Sequence, residues 1–391
     1  MTLFAPKQIG DVTGMRLDED IYSYLSRSSR RSMASTREVL ERWFATTPAT
    51  QQENLRGRLT SVNDEQFMSA FWEMYLATLF SQMGCTVEWE PTIPVGEGRP
   101  DFLIEGRGCC FYVEATSVGA AAVSRKTEHR VRRAYEAIRG WDLPDFMLDL
   151  TLDAAGPQDL RIDEAKMRIQ PWLATLDAEE VIRQRGSSNY FEVPVVDLRM
   201  DGWAIEVRAL PRAAGQRGPG QPALGSYDST GWKKNDSDTR LRKRAEDKAK
   251  KYGVLPHPYV IAVLANTEPS TGTAQIATAL WGRWTFEPDG FIQLHPLVVE
   301  GLPIEKALWR RGSGSRYTRV AAVLVATFLH PWSLSESIPT VWTNSAADPA
   351  LGCDLGLPTW TEQAGHIEYS QGLLSGGAAV SLPDNWRQPD V

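Results

Sequence analysis

The sequence predicts an α/β protein, because segments with helical periodicity alternate with short runs typical of β-strands. Helices are expected at 36–58 and 62–83, and several apolar runs of strand length follow them. A highly charged helix at 238–252 then leads into the fully apolar run 258–264, a pattern typical of a buried strand. The chain has 391 residues, which is long enough for a large core and for more than one domain.

The remaining elements are predicted from the same periodicities and from turn signals. The first 35 residues are polar and are expected to form a loosely docked arm, whereas the turn-rich tail from 345 onward is expected to wrap the surface. The dipeptide Asp201-Gly202 predicts a hairpin. The other expected elements are strands at 85–90, 100–105, 109–116, 145–152, 190–198, 202–209 and 319–328, and helices at 124–139, 160–185 (broken near Pro171) and 271–281.

Composition and charge exclude several classes of protein. The formal net charge is −7, so nucleic-acid binding would have to come from local basic patches. No apolar run approaches the roughly 18–20 residues of a membrane span, and the sequence shows no secretory signal. The four cysteines have no C-x-x-C spacing, which favours a reduced, cytoplasmic protein without a structural zinc.

One stretch of the sequence predicts a β-hairpin that carries two acids. The apolar runs around Asp101 and Glu114 are joined by a glycine-bearing turn, for which a two-residue loop at Arg107-Gly108 is the natural choice. That loop places Asp101 directly opposite Glu114, on the same face of the sheet. Two adjacent carboxylates repel each other unless a cation or a proton lies between them, and Mg²⁺ prefers such oxygen ligands.

A third carboxylate precedes the hairpin. The helix at 62–83 is apolar on nearly every side between Phe67 and Phe80, and Glu73 is the only charged residue of that stretch. A helix that is apolar all round is buried, and a carboxylate inside it needs a cationic partner or a metal ion. Glu73 is therefore expected either near the two hairpin acids or in an ion pair with a core arginine.

These residues resemble the PD-(D/E)xK, or restriction-endonuclease-like, nuclease superfamily. The matching residues are Glu73 on a helix, Pro100-Asp101, and Glu114-Ala115-Thr116 on the next strand. The resemblance implies a core with a central mixed β-sheet flanked by helices, metal-dependent phosphodiester cleavage, and Mg²⁺ (or Mn²⁺) as the cofactor. It implies Asp101 and Glu114 as metal ligands, with the Ala115 carbonyl and Glu73 completing the shell.

With this resemblance, the chain divides into five predicted regions. The nuclease core is expected in two parts. The regions are an N-terminal arm at 1–35, the core at 36–140 and at 239–330, an insertion at 141–238, and a C-terminal extension at 331–391.

The sequence departs from the family pattern where a lysine is expected, because Thr116 stands there. A threonine hydroxyl cannot supply a cation. The helix at 238–252 offers a replacement, since Leu241, Ala245, Lys248 and Tyr252 share one face. Lys248 is the only lysine on that stripe and is expected to take the missing role, unless it extends to the solvent. Lys248-x-x-x-Tyr252 is also similar to the Gln-x-x-x-Tyr motif of RecB-type nucleases within the superfamily.

Two basic stretches on this acidic chain fit a phosphate-binding groove. No base-reading motif is visible, and DNA is the expected partner, with RNA as the alternative. The family analogy suggests bacterial defence or DNA processing, and it leaves a homodimer or partner proteins of a defence system open. The residues expected to contact nucleic acid are Lys126, Arg130, Arg133, Lys233, Lys234, Arg242, Lys243 and Lys251.

Simpler interpretations remain open at this point. Asp101 and Glu114 could flank a surface hairpin, and the basic stretches could be solvated helix faces. The rival to a nuclease is a non-catalytic nucleic-acid-binding or scaffold protein that kept the fold after losing the lysine.

Overall fold

The computed structural model divides the chain into two compact units. The first comprises Met1–Gly14, Asp20–Ala120 and Asp236–Val391, and the second Met15–Glu19 and Ala121–Asn235. The described residues are 2–4, 11–16, 19–94, 98–118, 125–185, 193–224, 237–266, 271–282, 284–286, 292–294, 307–311, 314–363, 366–382 and 386.

Ten α-helices lie within these residues, and polar side chains cap the first turns of several of them. Asp20 accepts a hydrogen bond from the backbone N–H of Ser23, and Asn63 accepts one from that of Glu65. The helices are α1 (Ile21–Arg27), α2 (Arg31–Thr46), α3 (Ala49–Leu59), α4 (Asp64–Gln82), α5 (Arg125–Arg139), α6 (Ile162–Leu173), α7 (Ala178–Arg185), α8 (Ser237–Ala249), α9 (Thr273–Trp281) and α10 (Gly376–Ala379).

The described residues also form fifteen β-strands. They are β1 (Thr86–Trp89), β2 (Phe102–Gly106), β3 (Cys109–Ser117), β4 (Phe146–Ala154), β5 (Val195–Met200), β6 (Trp203–Pro211), β7 (Tyr259–Leu264), β8 (Trp284–Phe286), β9 (Ile292–Leu294), β10 (Arg310–Arg311), β11 (Gly314–Ser315), β12 (Val320–Ala326), β13 (Thr340–Thr343), β14 (Thr359–Gln363) and β15 (His366–Ser370).

The first unit is built on a large mixed sheet. Its strand order is β1-β2-β3-β7-β12-β13-β14-β15-β9-β8. The pairs β3–β7, β7–β12 and β13–β14 are parallel, and the others are antiparallel. The central strands β7 and β12 are buried along their whole length, as expected for strands covered on both faces. The predicted α/β class with a mixed sheet and helices is confirmed.

The register of the β2–β3 hairpin agrees with the sequence prediction. Phe102 pairs with Val113, and Gly106 pairs with Cys109 across the turn. The two turn residues, Arg107 and Gly108, have φ angles of 53° and 77°, the left-handed backbone that a two-residue hairpin turn requires. The same register brings residue 101, just before β2, opposite residue 114 in β3.

Helices cover both faces of the sheet around β3. The Phe111 ring contacts the Phe80 ring of α4 at a centroid distance of 5.7 Å. The next residue, Tyr112, points to the opposite face and packs into the cluster that contains Leu241 and Ala245 of α8. The two helices therefore lie on opposite faces of β3.

Two expectations for the N-terminal part were wrong. The helix predicted at 36–58 is two helices, α2 and α3, because Pro48 interrupts it. Part of the expected N-terminal arm is helical and packed, since α1 lies within it and Leu25 is fully buried. The apolar residues of this short segment were too few to outweigh its polar composition in the prediction.

The C-terminal segment is part of the large sheet rather than a surface wrap. β14 pairs in parallel with β13, and β15 pairs antiparallel with β14. These strands are short and only partly buried, so their sequence carries a weak strand signal beside many turn residues.

The second unit has its own three-stranded antiparallel sheet in the order β4-β6-β5. The hairpin predicted at Asp201-Gly202 is present, and both residues have positive φ angles of 48° and 80°. The long helix expected at 160–185 is two helices, α6 and α7. The break follows Leu173, because α6 continues for two residues beyond Pro171.

The cysteines differ from the expectation of a fully reduced chain. Cys109 and Cys353 form a disulfide, with their Cα atoms 5.8 Å apart. The expectation is wrong for this pair, because the two residues are 244 positions apart and only the folded chain brings them together. Cys85 and Cys110 are free thiols.

None of the helices in the described ranges combines the length and the apolar composition that a membrane crossing requires.

Candidate active site

The hairpin brings the predicted acids Asp101 and Glu114 to one place. Asp101 Oδ2 accepts a hydrogen bond from the backbone N–H of Ala115 at 2.6 Å, which fixes its carboxylate beside β3. The Glu114 side chain is only 1% exposed. A carboxylate that is this deeply buried requires compensating partners.

Glu114 receives two lysines from the end of α8. The Nζ atoms of Lys248 and Lys251 each lie 2.7 Å from Glu114 Oε1. The Lys248 side chain is 24% exposed and that of Lys251 is 41% exposed. The predicted replacement lysine is therefore in contact with the predicted metal ligand, and a second lysine that was expected only to bind nucleic acid joins it.

A tyrosine contacts the other oxygen of Glu114. The hydroxyl of Tyr252 lies 2.5 Å from Glu114 Oε2 and 2.6 Å from the carbonyl oxygen of Arg99. Burial and the hydrogen bond to Glu114 raise the pKa of Tyr252 well above its usual range, so the hydroxyl keeps the proton that it donates. Tyr252 thus links the segment before Asp101 to the carboxylate on β3.

The position of these groups follows from the packing of α8. Leu241 and Ala245 of the predicted apolar stripe are fully buried against the sheet, and so is Ala249, which was not part of that stripe. The helix ends at Ala249, whose carbonyl oxygen accepts hydrogen bonds from Nε and Nη2 of Arg319 at 3.0 and 2.7 Å. A cationic side chain on the last carbonyls is a favourable way to end a helix.

Glu73 is held by an arginine. Both of its oxygens accept hydrogen bonds from Arg58, with Nη1–Oε1 at 2.7 Å and Nη2–Oε2 at 2.5 Å. Burial is the largest single influence on Arg58 and opposes its charge, but the hydrogen bonds to Glu73 and the negative charges of Glu73, Asp101 and Glu90 together raise its pKa. The expected ion pair of Glu73 with an arginine is therefore present, and Glu73 is also near enough to Asp101 for its negative charge to raise the pKa of that acid. A ligand role for Glu73 stays a prediction.

Asp101 is the acid of this site that lacks a cationic partner. No described lysine or arginine forms an ion pair with it, and its hydrogen bond comes from a backbone amide. Burial is the largest influence and, together with the negative charges of Glu114 and Glu73, raises the pKa of Asp101 to about 7. The Ala115 amide and Lys248 offset part of this effect. The site therefore favours either a proton or an added cation at Asp101.

The donor set suits a hard divalent cation bound by few protein ligands. Among the described residues, no group of three or more His, Cys, Asp or Glu side chains is arranged to hold a metal ion. Asp101 and Glu114 offer carboxylate oxygens from one face of the hairpin, and Mg²⁺ is commonly bound by one or two carboxylates together with water and substrate phosphate. A cation held by these two carboxylates would therefore need water or substrate oxygens to complete its coordination.

Thr116 and Ala115 flank this site on β3. Thr116 is buried and pairs with Val263 of β7, on the same face of the sheet as Glu114. Ala115 contributes its amide to Asp101, and a ligand role for its carbonyl stays a prediction.

The predicted nucleic-acid contacts have different surroundings. Lys233, Lys234 and the side chain of Lys126 lie outside the described residues. In the second unit, Arg130 donates to Thr127 Oγ1, and Arg133 pairs with Asp159 at 2.7 Å.

On α8, the two other predicted contacts differ in accessibility. Arg242 pairs with Glu246 at 3.2 Å and is largely buried, whereas Lys243 is exposed. Arg242 is therefore poorly placed for a surface phosphate contact, because its guanidinium is already held.

Three contacts of the site differ from the sequence prediction or were missed by it. They are the contact of Lys251, which was expected only to bind nucleic acid, with Glu114, that of Arg58 with Glu73, and that of Arg319 with the end of α8. Lys251 follows Lys248 at a spacing of three, which places neighbouring side chains together, so this signal was present. Arg58 had only an indirect signal, because a lone acid on an apolar helix requires some cation without indicating which one. Arg319 had none, since only the folded chain brings it to the end of α8.

Comparisons with protein-family models, with curated proteins and with solved structures give no match to this chain.

Proposed function

We propose that the chain is a metal-dependent nuclease that hydrolyses phosphodiester bonds, most readily those of DNA, on a restriction-endonuclease-like core. The contact between Lys248 and Glu114, opposite Asp101, carries this proposal. This contact places an amine beside two carboxylates of the hairpin. Metal-assisted phosphodiester hydrolysis uses carboxylates to hold the cation and an amine to stabilise negative charge.

Each group has a stated role in the proposal. Asp101 and Glu114 would hold Mg²⁺ or Mn²⁺, which polarises the scissile phosphate and acidifies the attacking water when bound. Lys248 supplies the positive charge that Thr116 cannot, beside the negative charge that develops on the phosphate. Glu73 holds the guanidinium of Arg58 in place, so that a positive charge stays near Asp101.

The test is a cleavage assay with matched variants. The purified chain is incubated with plasmid, linear and single-stranded DNA and with RNA, in Mg²⁺, Mn²⁺ or EDTA. The variants are Asp101→Asn, Glu114→Gln and Lys248→Met, and the control is Glu105→Gln, an exposed acid of the same hairpin. We expect metal-dependent cleavage that the first two variants abolish, that Lys248→Met slows by roughly 10²–10³-fold, and that the control retains.

Other outcomes would lead to different conclusions. Cleavage of RNA alone would change the substrate class but not the site. Absence of cleavage by the unaltered chain under every condition would contradict the nuclease proposal. Equal nucleic-acid binding by all proteins in that case would favour the second candidate, a non-catalytic binding protein, for which the buried Thr116 in place of a lysine is the specific observation.

A further inference from the structure

Two ammonium groups share a single oxygen of Glu114. A carboxylate oxygen has about two acceptor positions, and at Oε1 both are taken by Lys248 and Lys251. A divalent cation that binds there must displace one ammonium, and any cation beside Glu114 is repelled by both.

We propose that Lys251 is the exchangeable partner, which leaves Glu114 when a divalent cation binds and then contacts the phosphate of the nucleic acid. This inference rests on the proposed nuclease function. It assigns the two lysines different tasks, with Lys248 remaining at the carboxylate.

The surroundings of the two lysines decide which one leaves. Lys251 lies beyond the end of α8, and its side chain is 41% exposed against 24% for Lys248. Lys248 belongs to the last helical turn, and its carbonyl oxygen accepts a hydrogen bond from the hydroxyl of Tyr259 at 3.1 Å. Release of Lys251 from Glu114 therefore exposes less buried side-chain surface than release of Lys248 would, and it moves no residue of the helix.

Lys251 also makes a second favourable contact from the position that it occupies beside Glu114. Its Nζ lies 5.0 Å from the centre of the Tyr252 ring, within the range of a cation–π interaction. The ammonium can thus leave Oε1 without losing every favourable contact. An incoming phosphate would compensate its charge while the divalent cation compensates that of Glu114.

The charge balance of the site supports this exchange. Three carboxylates, Glu73, Asp101 and Glu114, stand beside three cations, Arg58, Lys248 and Lys251. A divalent cation alone adds two positive charges to this set. When Lys251 moves to a phosphate, its own positive charge leaves the carboxylates, so that the set gains one charge rather than two.

The test measures metal and nucleic-acid binding rather than cleavage. Mn²⁺ binding to the metal-free chain is followed by titration calorimetry for the unaltered protein, Lys251→Met and Lys250→Met. Lys250 is an exposed lysine of the same turn and serves as the control for the loss of one charge. We expect Lys251→Met to bind Mn²⁺ about tenfold more tightly and Lys250→Met to change the affinity less than about twofold.

The same variants are then titrated with short duplex DNA in Ca²⁺ over a range of salt concentrations. Loss of one phosphate contact in Lys251→Met lowers the salt slope by about 0.9. Unchanged or weaker Mn²⁺ binding by Lys251→Met, or an unchanged salt slope, overturns the inference while leaving the nuclease proposal intact. If the unaltered chain shows no Mn²⁺ binding that Asp101→Asn abolishes, the nuclease proposal fails and this inference fails with it.

Discussion

Arg58 of α3 and Glu73 of α4 form a two-point ion pair in which each terminal nitrogen of the guanidinium faces one carboxylate oxygen. The side chains are 28% and 13% exposed, so water replaces a lost partner poorly. Such a bidentate pair connects the two helices with a specific geometry and compensates the charge of each side chain.

Removing only one partner of this pair should destabilise the protein. We expect Arg58→Ala to lower the free energy of unfolding by about 2–3 kcal/mol, because the carboxylate of Glu73 remains without its cation. The double variant Arg58→Met/Glu73→Leu should recover most of this loss, since it removes both charges and keeps the volume. Urea unfolding measures both. Equal stability of the single and double variants would show that the unpaired carboxylate of Glu73 is not what destabilises Arg58→Ala.

Asp101 should make stability depend on pH in the absence of metal. Its pKa is raised to about 7 in the folded chain, so the native state binds this proton more tightly than the unfolded chain does. The resulting stability is present below about pH 4 and is lost as the pH rises through 7. Asp101→Asn removes this dependence and should stabilise the protein at pH 8.5 relative to the unaltered chain, by about 2–4 kcal/mol.

The measurement for Asp101 is thermal unfolding in EDTA at pH 5 and pH 8.5. The difference in Tm between Asp101→Asn and the unaltered chain should be larger at the higher pH. A difference that is equal at both values would contradict the raised pKa.

A divalent cation should reverse the cost of ionising Asp101. At pH 8, Mg²⁺ or Mn²⁺ is expected to raise the Tm of the unaltered chain, because a ligand that binds only the folded state stabilises it. Each kcal/mol gained corresponds to roughly 1–2 °C in Tm for a chain of 391 residues. Asp101→Asn should show no such increase, and EDTA should remove it. An equal increase in the variant would place the cation elsewhere in the protein.

Loss of the hydroxyl should change the free energy of unfolding differently at two buried tyrosines. Tyr252→Phe leaves Glu114 Oε2 without its donor and should cost about 1–3 kcal/mol. Tyr75 is also buried, but its hydroxyl has no hydrogen-bond partner among the described residues, so Tyr75→Phe should be neutral or stabilising. Urea unfolding of the two variants compares them directly. A similar loss in both would mean that packing of the ring, not the hydrogen bond, determines the effect.

The sequence predicted local geometry well and distant contacts poorly. The β2–β3 register followed from one turn and the two-residue period of strands, and the structure has the same pairing. The inward face of α8 followed from its apolar stripe. Both patterns are short-range, because each depends only on residues within one hairpin or within about three helical turns.

Contacts between distant segments had no comparable signal. The disulfide of Cys109 with Cys353, the approach of Arg319 to α8 and the addition of β14 and β15 to the sheet all depend on how the whole chain is arranged. Spacing in the sequence does not encode such meetings. The break between α2 and α3 is of a different kind, because Pro48 is a local helix-breaking signal that the sequence itself contains.

The order in which strands join the large sheet bears on how the protein is synthesised. β3 pairs with β7, and the whole segment Ala121–Asn235 is translated between them. That segment carries its own sheet and its own core and forms a compact unit, so it is expected to fold first. Until β7 emerges, the edge of β3 that later bonds β7 is unpaired. The nascent chain is therefore expected to carry an incomplete sheet with an unpaired edge at this stage. Such an edge favours aggregation and chaperone binding.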